Sequence, residues 1–243
     1  VDETVSARPE SLRAAIDADI AAGLTPAFVC AAVGTTGTTA VDPVRAFGEI
    51  AAEFDLWFHI DAAYAGAAML CEEFRHHQDG LELVDSYTFN AHKWLATNFD
   101  CSIFWVADRT PLIHTLTILP PYLRNAASES GSVIDYRDWH VPLGRRFRAL
   151  KLWFVLRSFG VEGLQALIRS HVAMANDFTT WVEAHPKLEL FAPTVFGLIC
   201  FTHVDGNDAT GALAEGINAE GTVYVTPSVI DDKRFIRVSI GST

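Results

Sequence analysis

Four short apolar runs, at residues 27–33, 56–60, 86–90 and 101–106, constrain this chain more than any other feature. Each is brief and bounded by turn-forming residues, such as Pro26 and Gly34 around the first, which is the signature of a strand. Between the first two, residues 43–54 place Val44, Phe47, Ile50, Ala51 and Phe54 on one helical face, with Pro43 suited to the first turn. Leu12, Ile16 and Ile20 recur at helical spacing upstream. Helix and strand alternating over short connections predict an α/β layered domain with a mostly parallel sheet.

The pattern fails between residues 116 and 133, where Pro120-Pro121 and an Ala/Ser/Gly-rich stretch break any period. Loops of that length inside compact domains are functional or disordered. Two long helices are predicted next, at 145–159 and 161–184. The second carries Leu164, Leu167, Ile168, His171, Val172, Ala175, Phe178 and Val182 on one stripe, and Trp153-Phe154 in the first reads as core packing. After Pro186 the pattern predicts strands at 188–191, 198–203, 222–225 and 235–240, and a helix at 209–219. The change of pattern divides the chain into residues 1–150 and a smaller α/β portion, 151–243.

Eighteen Lys and Arg against thirty Asp and Glu give a formal charge of −12, which argues against nucleic acid or an anionic membrane as the main partner. No apolar run reaches the roughly 18 residues that span a bilayer, and no basic-then-apolar leader opens the chain. Cys30, Cys71, Cys101 and Cys200 have no metal-like spacing, so reduced thiols in a cytoplasmic protein are expected. His76, His77 and Asp79 superficially suggest metal ligands, but adjacent helical histidines diverge and no third ligand has matching spacing. Arg145, Arg146 and Arg148 stand at a predicted helix start, where the dipole disfavours cations. They call for an anion nearby, either a structural ion pair or an interface carboxylate. Val1 at the start and a strand at the very end lead us to expect a fragment.

Three segments fall at strand ends: Val33-Gly34-Thr35-Thr36-Gly37, His59-Ile60-Asp61-Ala62-Ala63-Tyr64 and Asn90-Ala91-His92-Lys93-Trp94. Open α/β sheets bind ligands beyond the carboxyl ends of their strands. A small-residue turn, an acid and a lysine therefore converge on one crevice. A lysine among apolar groups has a lowered pKa and forms Schiff bases with carbonyls. An acid opposite it can hold a protonated pyridine nitrogen, and Ala62 and Ala63 leave room for a flat ring. Each residue also has a plainer reading: Lys93 as a surface lysine, Asp61 as a helix cap, Thr36 as turn chemistry, His92 as packing beneath the lysine.

With GTTGTTAVDP (34–43), WFHIDAAYAG (57–66), FNAHKWLATNFDCS (89–102) and DYRDWHVPLGRRFRALKLWFVLRSFGVEGLQ (135–165) in this order, the chain resembles the pyridoxal-phosphate-dependent group II decarboxylases, in their aromatic-L-amino-acid branch. The resemblance implies the aspartate-aminotransferase-like fold (fold type I), a homodimer with sites at the subunit interface, and chains about twice this long. The part missing here would include a histidine stacked on the cofactor ring and a serine-containing phosphate turn. It further implies that Lys93 carries pyridoxal 5'-phosphate, Asp61 pairs with the ring nitrogen and Ala63 faces the ring. Thr36 would lie near the ring substituents, Asn90 and His92 would hold the phosphate, and Gly144 would approach from the neighbouring subunit. Tyr122 would sit on a mobile loop as the acid that protonates the α-carbon. Tyrosine there, rather than phenylalanine, favours decarboxylation over aldehyde synthesis, which stays the alternative beside an incomplete, non-catalytic chain. By the same resemblance, Trp94 and Gly144 imply a bulky aromatic amino acid as substrate.

Overall fold

A computed structural model describes residues 1–118, 130 and 132–241. Tyr122 lies outside the described residues, as does most of the predicted long loop.

The first four strands are β1 (Phe28–Ala32), β2 (Trp57–Asp61), β3 (Ser86–Asn90) and β4 (Ser102–Val106), and they form one sheet in that order. β1, β2 and β3 run parallel, while β4 returns antiparallel to β3. The sheet is therefore mostly parallel, as the alternating pattern predicts. Helices α1 (Pro9–Ala21) and α2 (Val44–Glu53) cover one face, with short helices α3 (Ala91–Trp94) and α4 (Arg109–Leu116) flanking β4. α2 buries Val44, Phe47, Ile50 and Ala51 on the predicted stripe. Of the predicted α1 stripe only Ile16 is fully buried, and Ile20 is exposed.

The alternation within the strands decides which face is covered. Val29, Ala31, Phe58 and Ile60 point into the core, whereas Phe28, Cys30, His59 and Asp61 point to the opposite face. On that face the rings of Phe28, His59 and Phe104 stack at 6.1 and 6.3 Å, with Phe28 and Phe104 exposed. Sheets of parallel strands are ordinarily covered on both faces. Here the described residues leave one open.

α5 (Ala149–Ala184) is two helices meeting at Gly160, whose φ of 67° and ψ of 173° belong to a region essentially reserved for glycine. This is the break predicted between residues 159 and 161. The predicted second-helix stripe is confirmed, with Leu164, Ile168, His171, Ala175 and Val182 buried. Leu164 and Ile168 join the core under the first sheet, while Ala175 and Val182 join a second core. The expectation for Trp153-Phe154 is corrected. They are 53% and 58% exposed, because no described residue covers that side of the helix before Gly160.

The second core lies under an antiparallel sheet of β5 (Leu188–Leu190), β6 (Leu198–His203), β7 (Thr226–Ile230) and β8 (Lys233–Ser239), ordered β5-β6-β8-β7, with α6 (Asn207–Glu220) packed on it. The strand expected at 222–225 lies instead at β7. Pro227 demotes the true segment in sequence, yet β7 is an edge strand, where proline is tolerated. Between β5 and β6, Phe196 leaves the second sheet and enters the first core, edge-on to Phe74, His77 and Trp94.

Ion pairs hold the periphery. Arg146 and Arg148 donate to the two carboxylate oxygens of Asp100 at 3.2 and 2.9 Å, so the arginine cluster is used at least in part in structural pairing. Asp79 accepts from Arg45 rather than joining the histidines. Arg169 on α5 donates to Glu73 at 2.6 and 3.0 Å and draws its pKa from 4.5 down to about 2. A carboxylate whose folded pKa is depressed stabilises the fold above its unfolded pKa and loses that contribution as pH falls through the folded value. Acid unfolding followed by circular dichroism is therefore expected to show stability declining between about pH 4.5 and 2. Glu73→Gln should flatten that part of the profile; an unchanged profile would show that the pair contributes nothing.

Candidate active site

The turn after β1 is built to present Thr36. Gly34 has a φ of +83°, and a Cβ there would meet the Cβ of Ala65 at 2.5 Å, so only glycine lets the chain turn this close to the segment after β2. The Gly34 and Thr35 amides donate to the Ala40 carbonyl at 3.0 and 2.9 Å, and the Thr39 amide donates to the Thr35 carbonyl at 2.8 Å. Asp42 fastens the base of the turn, accepting from the Ala7 and Ala32 amides, both at 2.8 Å. Thr36 is left exposed at the tip.

Lys93 reaches the same place from the adjacent end of the sheet. β3 ends at Asn90, and α3 turns the chain so that Ala91 and Trp94 are buried while Lys93 is exposed. Trp94 anchors this turn: its ring stacks on Tyr64 at 4.6 Å, and its indole N–H donates to Nδ1 of buried His171 at 3.0 Å. Lys93, Thr36, Thr35, Thr39 and Tyr64, together with Leu198, Arg237 and Ser239 of the second sheet, enclose a cavity of about 170 Å³. Burial pushes the Tyr64 phenol well above its ordinary value, so it is a neutral wall of this cavity.

Asp61 ends β2, beside Thr88 of β3 in register. One carboxylate oxygen accepts the Ala63 amide two residues on at 2.9 Å, a turn contact and not the helix cap of the plainer reading, since the short helix Ala65–Leu70 is capped at Tyr64; the Ala63 carbonyl in turn accepts the Asn90 amide at 3.0 Å. Asn90 Oδ1 accepts from the Ser102 hydroxyl at 2.7 Å. His92 Nδ1 accepts the Cys101 amide at 2.9 Å, which leaves Nε2 to carry the proton of the neutral ring. Neighbouring His59 shares a hydrogen bond of 2.8 Å between Nδ1 and the Ser86 hydroxyl, and burial lowers its pKa more than nearby Asp61 raises it.

Of the residues singled out in sequence, Lys93 and Thr36 thus share one cavity. Asp61, Ala63, Asn90 and His92 stand at the strand ends outside its walls. Gly144 is exposed, with open space for 4 Å around the position a side chain would take. Arg237, Ser239 and Tyr64 were not legible as site residues. The signal available for Arg237 is a cation in the otherwise apolar run Phe235-Ile236-Arg237-Val238. A larger apolar groove of about 400 Å³ beside β4, lined by Met69, Leu81, Phe89 and Trp105, contains none of the predicted residues.

The donor set fits an aldehyde-bearing pyridine cofactor. Among the described residues neither Lys93 nor Asp61 is held in an ion pair, although they stand at the ends of neighbouring structural units. An amine and a carboxylate both left without a counter-charge suit one ligand carrying an electrophile and a protonated nitrogen.

The chain is 45% identical over 241 residues to tryptophan decarboxylase 2 of Oryza sativa subsp. japonica, covering 96% of this chain and 48% of that protein. It is 46% identical over 242 residues to phenylacetaldehyde synthase of Arabidopsis thaliana, covering 97% and 49%. The crystal structure of Oryza sativa TDC with PLP and tryptamine superposes with a TM-score of 0.93 at 45% identity, over 98% of this chain and 51% of that one. The chain spans about half the length of the curated relatives it matches. The superposition bears out the expected fold type I architecture. No helix among the described residues is long and apolar enough to cross a membrane. The model of the pyridoxal-dependent decarboxylase conserved domain matches residues 1–204, and the chain belongs to that family.

Proposed function

We propose that this chain forms part of a pyridoxal-phosphate-dependent carboxy-lyase that converts an aromatic L-amino acid to its amine and carbon dioxide. The observation that carries the reading is the convergence of Lys93 and Thr36 on one cavity, with the Asp61 carboxylate at the neighbouring strand end. When bound, pyridoxal phosphate supplies an electron sink for the pair left behind as carbon dioxide departs. Lys93 would hold the cofactor covalently, yield it to the substrate amine, and move protons at its Nζ. Asp61 would keep the ring nitrogen protonated, since an ionised carboxylate nearby favours the charged form. Thr36 and Ala63 would border the ring. Asn90 and His92 would serve the phosphate, His92 through Nε2, because Nδ1 is already occupied. Tyr122 would donate the proton to the α-carbon.

The open sheet face and the exposed run Phe147, Leu150, Trp153 and Phe154 support a larger assembly. The remainder of the polypeptide would cover the former, and a second copy would cover the latter, bringing Gly144 to the partner's site. In this reading residues 1–150 belong to the cofactor-holding domain and residues 151–243 begin the smaller one, in a cytoplasmic homodimer.

The test is an assay of the intact polypeptide with tryptophan, tyrosine, phenylalanine and dihydroxyphenylalanine. Amine and carbon dioxide in equal amounts are expected from at least one of them. Absence of amine from all four would remove the reading. Hydrogen peroxide and ammonia released in step with carbon dioxide would instead assign the aldehyde-synthase chemistry named for the Arabidopsis relative.

A further inference from the structure

We propose that Arg237 is a positioning residue, whose guanidinium reaches from the second sheet to hold the 34–40 turn so that Thr36 stays at the cavity Lys93 enters. The inference rests on the functional reading above and extends it to a residue outside every motif that suggested it.

Within the turn, the hydrogen bonds among Gly34, Thr35, Thr39 and Ala40 close the loop on itself but leave the carbonyls of Thr36 and Gly37 to be satisfied elsewhere. Arg237 on β8 supplies both: Nη2 donates to the Thr36 carbonyl at 2.6 Å and Nε to the Gly37 carbonyl at 2.9 Å. The Cys200 thiol on β6 lies 3.6 Å from the same Gly37 oxygen, so two strands of the second sheet meet this turn. Bonds from a charged donor are shorter and stronger than neutral ones, and a planar fork grips two acceptors at a fixed angle. No carboxylate among the described residues forms an ion pair with Arg237. Among those residues, both of its side-chain hydrogen bonds go to this turn. Thr36, in contrast, has an exposed side chain with no hydrogen bond to another described residue, so its place depends on how its own backbone is held. A guanidinium bound through two of its nitrogens to backbone carbonyls is better placed to brace the turn than to pair with a substrate carboxylate.

The intact, cofactor-loaded polypeptide provides the test. In Arg237→Gln, amide hydrogen exchange is expected to quicken in residues 34–40 and remain unchanged in β2 and β3. kcat should fall about 10- to 100-fold, the scale of a misplaced site residue, while KM changes less than threefold. The circular dichroism of the bound chromophore should alter. Arg237→Lys, which keeps the charge but can serve one carbonyl at a time, should recover part of the loss. Thr36→Ala should reproduce the kinetic defect, and the double variant should be little worse than the poorer single one. A rise in KM with turn exchange unchanged would overturn the proposal in favour of direct substrate contact. Variants indistinguishable from wild type in exchange and kinetics would overturn it outright. A wild-type polypeptide that neither binds cofactor nor forms product would defeat the functional reading instead, and the exchange of residues 34–40 would still decide whether Arg237 braces the turn.

Discussion

Lys93→Ala is expected to reduce amine release by the intact polypeptide at least about 10²–10⁴-fold, the range for removing one positioned proton-transfer group. The loss of the covalent anchor adds to that. The fold should survive, because the Lys93 side chain is exposed while its neighbours Ala91 and Trp94 hold α3 against the core. Thermal unfolding should therefore stay close to that of wild type without cofactor, and the violet absorbance of a lysine-linked pyridoxal should vanish. A variant that keeps this absorbance, or more than a tenth of the rate, would mean that another amine carries the cofactor.

Asp61→Asn is expected to cost about 10²–10³ in kcat, comparable to removing one preorganised electrostatic group from an active site. The substitution separates two roles of this residue. The carboxylate accepts the Ala63 amide at 2.9 Å within the turn, and the asparagine side-chain oxygen can accept the same bond, so stability should hardly move. What asparagine lacks is the negative charge that keeps a pyridine nitrogen protonated. Activity within threefold of wild type would reduce Asp61 to fastening the turn after β2.

The first half of the fold was legible because its strands are short apolar runs between breakers, and the α2 and α5 stripes recur at helical spacing. The candidate cavity was legible where chemistry sits beside a strand end, as at Thr36 and Lys93, while Asp61 ends the adjacent strand outside its walls. Three features resisted for separate physical reasons. β7 contains Pro227, which weighs against a strand until the segment is seen at an edge. Trp153 and Phe154 are apolar enough for a core, but hydrophobicity does not say which polypeptide supplies the cover. Arg237 acts on backbone carbonyls 200 and 201 residues away, and a carbonyl leaves no mark in a sequence. His92 is intermediate: the motif drew attention to it, yet its clearest partner is the Cys101 amide.

One covalent bond, between Lys93 and the cofactor, decides the function proposed for this site. Borohydride reduction of the intact polypeptide loaded with pyridoxal phosphate, followed by proteolysis and mass spectrometry, reads that bond directly. The predicted result is a single reduced pyridoxyl group on the peptide containing Lys93; the modification on a different lysine, or none at all in protein that has bound the cofactor, would contradict the account.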